Sequence, residues 1–350
     1  MKGRANPPFC CAHSNKKNLN AEDAEIAELT IEDRCLYAVY LEFRRVRRGS
    51  LIGKAVVLKT TARKRLQVRV LSSPPSLNML KLGTLLFVLL LGTSVAAQKL
   101  TLATEDEIKN DVALVPCKNS DRLAAIEKLF RSMGAADADI SIVDKKGTKN
   151  LVVTRAGTEA GTIIVGAHYD KVHDGCGAID NWTGIVIIAR IYETLRQIPN
   201  KKTLKFVAFD REEEGLLGSS AFVSEIPKSE RPAICSMVNL DSFGFASPQV
   251  MDNASTPAMT KAAKELWKKQ EIDIADASIP NADADSGSFV RAGIPAITFH
   301  GLSNNWQKYL HSDNDKLSNI NPTSVYMGYR YVLPFIAQLD SVDCDVMRKK

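Results

Sequence analysis

Side chains able to hold a metal or move a proton recur at separated places in this chain. They are His168 and Asp170 in Ala167-His168-Tyr169-Asp170, Asp180 in Gly177-Ala178-Ile179-Asp180-Asn181-Trp182-Thr183-Gly184, the triplet Glu212-Glu213-Glu214, Asp241 after Asn239-Leu240, and His311 in His311-Ser312-Asp313. On extended chain, residues two apart share a face, so His168 and Asp170 can act together. One binds a cation while the other accepts the second imidazole N–H and fixes the tautomer. Alone, such a pair is more often an ordinary hydrogen-bonded pair. A glutamate triplet is usually a solvated charge run. Here it lies between the apolar run 205–209 and Gly215-Leu216-Leu217-Gly218-Ser219, where the chain must turn sharply. Adjacent carboxylates in a turn point in different directions, so one can ligate a metal while its neighbour faces a reacting water as general base. Asp241 closes the apolar stretch 237–240, where an unpaired carboxylate would be expensive. Either it caps the following turn or a cation neutralises it. His311 is equally ambiguous by itself.

These residues need elements that bring them together. The spacing predicts an amphipathic helix over 120–133, with Leu123, Ile126, Phe130 and Met133 on one face and Ser120 as N-cap. Strands follow at 140–144, 151–155 and 162–166, then a long apolar helix over 182–198. Further strands at 204–209, 234–240 and 296–299 alternate with helices at 216–224, 256–270 and 324–339. Strands alternating with helices imply a single-domain, three-layer α/β/α architecture with a mainly parallel central sheet. In such sheets ligands collect beyond the strand ends. His168 to Asp180, the glutamate triplet, Asp241 and the segment after Phe299 all follow predicted strands.

Charge divides the chain. Residues 1–97 carry 16 Lys+Arg against 7 Asp+Glu, whereas residues 98–350 carry 30 against 33. The positive balance therefore belongs to the front, and nothing in the remainder favours nucleic acid as a partner. Residues 79–97 read as a signal peptide: Lys81, an apolar stretch over 82–91, and the small-residue ending Val95-Ala96-Ala97. The apolar stretch is short for a membrane span. Residues 1–78 form an upstream extension, unstructured or the product of a start site misplaced ahead of Met79. The mature domain is then 98–350, secreted or periplasmic, with no stable membrane association after cleavage. Its cysteines, Cys117, Cys176, Cys235 and Cys344, permit two disulfides in any of three pairings. His-Glu-Xaa-Xaa-His and Gly-Xaa-Ser-Xaa-Gly are absent, and the glycines at 175 and 177 lack the third member of a dinucleotide fingerprint.

Taken together and in order, these segments resemble the M28 family of zinc aminopeptidases over about residues 115–340. The resemblance implies a fold of the zinc-dependent exopeptidase type and two Zn2+ ions. It implies His168 and Asp241 on one ion, Glu213 and His311 on the other, and Asp180 bridging both. It also implies Glu212 as general base and Asp170 as the partner that orients His168. The substrate would be a peptide with a free N-terminus. A two-metal site of this kind lowers the pKa of a shared water to about 7, and the base hands the proton taken from it to the leaving amine. Asn181-Trp182-Thr183 also fits a glycosylation acceptor, but a glycan there would block the bridging ligand. One departure stands out: many relatives carry an Asp-His pair where this chain has Asp285-Ser286. Asp285 is then a pocket residue or a helix N-cap. His173 and His300 match no ligand position and are expected to be structural or surface groups. Two alternatives share the fold: a single-zinc glutaminyl-peptide cyclotransferase, and a catalytically inactive binding domain.

Overall fold

Seven strands form one sheet: β1 (Ile140–Lys145), β2 (Thr148–Arg155), β3 (Thr162–His168), β4 (Thr203–Phe209), β5 (Ile234–Leu240), β6 (Gln249–Val250) and β7 (Ala296–His300). Their order across the sheet is β6-β7-β5-β3-β4-β2-β1. This computed structural model describes residues 100–272, 277–279 and 282–348. Ahead of them it describes only short strands, Glu28–Leu29 paired with Leu66–Gln67 and Arg44–Val46 with Ser50–Ile52, both antiparallel. The rest of the extension 1–78, and the signal segment 79–97, lie outside the described residues.

The centre of the sheet is parallel as expected, with β7, β5, β3 and β4 running one way. The edges are not: β6 pairs antiparallel with β7, β2 with β4, and β1 with β2. The β1–β2 connection is only Lys146-Gly147, at φ 51° and 76°. Two consecutive positive φ values make the tight hairpin whose twist suits adjacent strands, and the glycine supplies one of them at no steric cost.

Helices cover both faces. They are α1 (Glu105–Val112), α2 (Asn119–Ser132), α3 (Thr183–Leu195), α4 (Leu217–Ser224), α5 (Pro257–Lys268), α6 (Asp285–Arg291) and α7 (Pro322–Ser341). Alternation along β3 shows the layering. Ile163 and Val165 join Ile126, Phe130, Ile185 and Phe335 in the core beneath α2, α3 and α7, whereas Ile164 joins Phe222 and Phe289 beneath α4 and α6. Helix α3 is buried on nearly every side, from Thr183 to Leu195, which explains its continuous apolar sequence. Two helices were not read from the sequence. Helix α1 is closed by a capping box in which Thr104 and Glu107 exchange bonds; α6 is a short run starting at Asp285. Ser120 is not an N-cap, because α2 begins one residue earlier, after Lys118. No described helix is long and apolar enough to cross a membrane.

The cysteines pair as Cys117–Cys176 and Cys235–Cys344. The second closes 109 residues and ties β5 to the C-terminal turn Cys344–Arg348. Cross-links over loops of this length stabilise by about 2–5 kcal/mol. Replacing Cys235 and Cys344 together by alanine should lower the thermal midpoint by about 10 °C, at roughly 2–4 °C per kcal/mol for a domain of this size. A calorimetric shift under 2 °C would show that this bridge carries no stability.

Candidate metal centre

Beyond the parallel strands, four loops converge. His168 ends β3, and its ring is 1% exposed. Its Nε2 lies 3.0 Å from Asp180 Oδ1 and 3.6 Å from Asp241 Oδ1. The other oxygen of Asp180 lies 3.3 Å from His311 Nε2, which is 3.0 Å from Glu213 Oε2. Asp180 therefore presents one oxygen to each histidine, and the two histidines come from different loops. Donor atoms of His168, Asp180 and Glu213 all fall within 4.8 Å of one another.

Local structure explains why Asp180 can stand there. Residues Ala178–Trp182 form a wide helical turn interrupted at Asp180 and Asn181, whose φ/ψ values of −114°/90° and −138°/49° are not helical. The Asp180–Asn181 peptide is cis. The Asn181 amide donates to Leu240 O at the end of β5, and its Oδ1 accepts from the Gly184 and Ser242 N–H groups. Asn181 is fully buried and its amide is engaged at both ends, so it offers nothing to a glycan. From the other side Asp315 accepts the N–H groups of Ile179 at 2.6 Å and Asp180 at 3.2 Å. The two loops also meet where Cys176 N donates to Asp315 O. A Cβ on Gly175 would sit 2.4 Å from Ser312 O, so only glycine permits that approach. Asp315 was missed in the sequence reading, although it lies two residues past the matched Asp313.

The glutamate triplet divides as its turn requires. Glu214 is exposed and pairs with Arg211, whose Nη2 donates at 2.6 Å, so part of the run is solvated after all. Glu212 and Glu213 turn inward, and their backbone N–H groups donate to Asp170 at 2.9 and 3.1 Å. Asp170, expected to orient His168, lies beside it. Its Oδ1 lies 3.4 Å from His168 Nδ1, but that nitrogen has no partner with hydrogen-bond geometry. Both Asp170 oxygens also accept from the turn that carries Glu212 and Glu213. Asp241 closes β5 and accepts from Ser242 Oγ at 3.1 Å. His311 is held at φ 56°, a left-handed conformation uncommon outside glycine.

Burial and like charge dominate the electrostatics. Burial first, and then the charges of Asp285, Asp241 and Asp180, push the Glu212 carboxyl well above its usual range. Glu213 is raised for the same first reason. Burial opposes charge on His168, yet the carboxylates around it, Glu212 foremost, hold its pKa well above the ordinary imidazole value. Hydrogen bonds donated to Asp180 and Glu213 raise His311 to about 10. Burial works against the Asp180 charge, but the two histidines outweigh it and its pKa is lowered. A cluster this rich in carboxylates draws in positive charge.

Asp285 is not an N-cap. It is the first residue of α6, fully buried, with both carboxylate oxygens unpartnered and its pKa raised to about 7, chiefly by burial. Ser286 is turned away, bonded to Ala254 O and Thr298 Oγ1. His173 is exposed beside Asp174. His300 is buried, with Nδ1 accepting from Leu302 N, and burial lowers its pKa to about 4. Neither joins the cluster.

The residues fit a metal. Donors are imidazole nitrogen and carboxylate oxygen, a set suited to zinc, and the buried Glu213 Oε1 has no hydrogen-bond partner. His168 Nε2 faces Asp180 and Asp241, and His311 Nε2 faces Asp180 and Glu213.

A probable leucine aminopeptidase of Arthroderma otae is 28% identical over 243 residues, covering 62% of this chain and 64% of that protein. Leucine aminopeptidase 2 of Trichophyton rubrum is 26% identical over 251 residues, covering 63% and 50%. The match thus spans less than two thirds of these relatives' own length. Among solved structures, the LapA aminopeptidase of Legionella pneumophila superposes with a TM-score of 0.59 at 20% identity, covering 68% of this chain and 72% of that one. A glutaminyl cyclase of an Acidobacteriales bacterium superposes with 0.58 at 16% identity, covering 71% and 99%. At such identities both describe the fold alone. Residues 150–336, which contain His168, Asp170, Asp180, Glu212, Glu213, Asp241 and His311, match Peptidase family M28, and the chain belongs to that family.

Proposed function

We propose that this chain is an aminopeptidase that binds two zinc ions and removes residues from the free N-terminus of peptides. The observation that carries the reading is the Asp180 carboxylate, with one oxygen at 3.0 Å from His168 and the other at 3.3 Å from His311. A carboxylate offered to two separate nitrogen donors suits a shared ligand between two cations. His168 and Asp241 would hold one of them, and Glu213 and His311 the other. When bound, zinc supplies Lewis acidity that acidifies water and polarises a carbonyl.

The chain's own residues do the rest. Glu212 stands beside Glu213 on a turn pinned by Asp170, so its carboxylate is fixed relative to the ligand next to it. It accepts a proton from the attacking water and returns it to the leaving amine. The inward carboxylates also give an ammonium group of a peptide N-terminus a complementary anchor, and this favours removal of terminal residues over internal cleavage. The names of the fungal relatives point the same way. The two disulfides support an oxidising compartment, consistent with export directed by residues 79–97.

The cyclase reading shares this fold, and one assay separates the two. The purified chain is incubated with Leu-p-nitroanilide and, separately, with an N-terminal glutaminyl peptide, before and after chelation. Chelator-sensitive release of nitroaniline is the expected result. Pyroglutamate formation without nitroaniline release would move the chain to the transferase branch, and neither reaction would leave a binding domain.

A further inference from the structure

Outside the cluster, one fully buried cation contacts the loop that carries two of its members. Arg122 lies in the first turn of α2 and is 0% exposed. Its guanidinium donates only to backbone carbonyls. Nε donates to Tyr169 O, Nη1 to Pro116 O and Cys176 O at 3.0 Å each, and Nη2 to Gly177 O at 3.0 Å. Tyr169 directly follows His168, while Cys176 and Gly177 lead into Asp180. One side chain thus grips both stems of the loop between these residues.

The surrounding contacts serve the same loop. The Asn119 side chain donates to Lys171 O at 2.9 Å and accepts from Lys171 N at 3.0 Å. Cys117 is bonded to Cys176. Gly177 is at φ 62°, and a Cβ there would lie 2.9 Å from Arg122 Nη1, so the glycine lets the carbonyl approach the guanidinium. The guanidinium also lies 5.7 Å from the centroid of the Trp182 ring, just past Asp180 and Asn181.

Burial lowers the pKa of Arg122 to about 10, with Asp315, Asp170, Asp180 and Glu213 favouring its charge. It is therefore cationic at neutral pH. Every hydrogen bond it makes is spent on backbone, which a planar fork with donors in fixed directions can satisfy and a lysine ammonium cannot.

We infer that Arg122 is a positioning residue for the metal centre: by clamping the carbonyls of Tyr169, Cys176 and Gly177, it sets the separation of His168 and Asp180 before a cation binds. This rests on the reading of the cluster as a metal centre. Residues that hold ligands in place, without touching the metal, typically change affinity by about 10–100-fold when removed.

The test is the zinc dissociation constant of the purified chain, measured by competition with a chromophoric chelator. It is compared with Arg122→Met, Arg122→Lys and Arg190→Met, with folding followed by circular dichroism and thermal midpoint. Arg190 is the comparison because it is also buried, yet it pairs with Asp111 and Glu193 and touches no part of the loop. The expected result is zinc binding about 10–100-fold weaker in both Arg122 variants, with Arg190→Met less stable but unchanged in affinity within threefold. Native affinity in both Arg122 variants would overturn the inference. So would full rescue by lysine, since charge rather than geometry would then be what matters. If Arg122→Met does not fold, Asn119→Ala reads the same brace, with zinc binding weaker by about threefold or more expected and unchanged affinity overturning the inference. A native chain that takes up no zinc would overturn the metal-centre reading, and this inference with it.

Discussion

Glu212→Gln should fold, retain its metal and lose most of its turnover. Glutamine keeps the length and shape of the side chain, and the bond that fixes this turn uses the backbone N–H of Glu212, not its carboxylate. What is lost is the ability to take a proton. General bases contribute about 10²–10⁴-fold, which is about 3–6 kcal/mol of the activation barrier at 1.4 kcal/mol per tenfold. The loss should appear in kcat, with KM changed little, because the proton moves only as the transition state is reached. Stability should not fall. Burial and the neighbouring carboxylates already oppose charge on Glu212, so a neutral amide at that position relieves repulsion. A kcat within tenfold of the native value on Leu-p-nitroanilide would remove Glu212 as the base.

Asp180→Ala should cost metal affinity more than any other single change. Both of its oxygens are committed, one toward each histidine, so alanine withdraws a ligand from both halves of the site. The expected loss exceeds the roughly 100-fold upper range seen when a supporting residue is removed. Activity should drop to background at micromolar zinc. Asp180→Asn controls for the cavity that alanine leaves: it keeps the volume and should restore the thermal midpoint without restoring tight binding. Native zinc stoichiometry and affinity in Asp180→Ala would show that Asp180 bridges nothing.

Two of the clustered residues were legible because they close apolar runs that read as buried strands, and polar residues at such ends need a reason. His168 as the last residue of β3 and Asp241 just past β5 are of this kind. Residues that act through backbone geometry were not legible. Asp315 holds the Ile179 and Asp180 N–H groups from a loop more than a hundred residues away in sequence, and nothing local marks it. Arg122 lay on the predicted helix, four residues before Ile126 and so on its buried stripe. Its charge gives no hint of burial, because arginine is rarely buried without partners. Here the partners are carbonyls of another segment, which a sequence does not display. The direction of the edge strands was not legible for a related reason. A period of two identifies a strand but not its direction, and the Lys146-Gly147 hairpin that reverses β1 into β2 carries only a glycine as its signal. The Asp285 alternatives were decided by burial: a residue with both oxygens enclosed and unpartnered belongs to the interior beside the cluster, not to a capped helix end.

Whether Asp180 joins two cation sites is decided by anomalous X-ray scattering at the zinc edge from crystals of the zinc-loaded chain. Two peaks should flank the Asp180 carboxylate, one against His168 and Asp241 and the other against Glu213 and His311. One peak, or peaks elsewhere, would contradict a bridging Asp180.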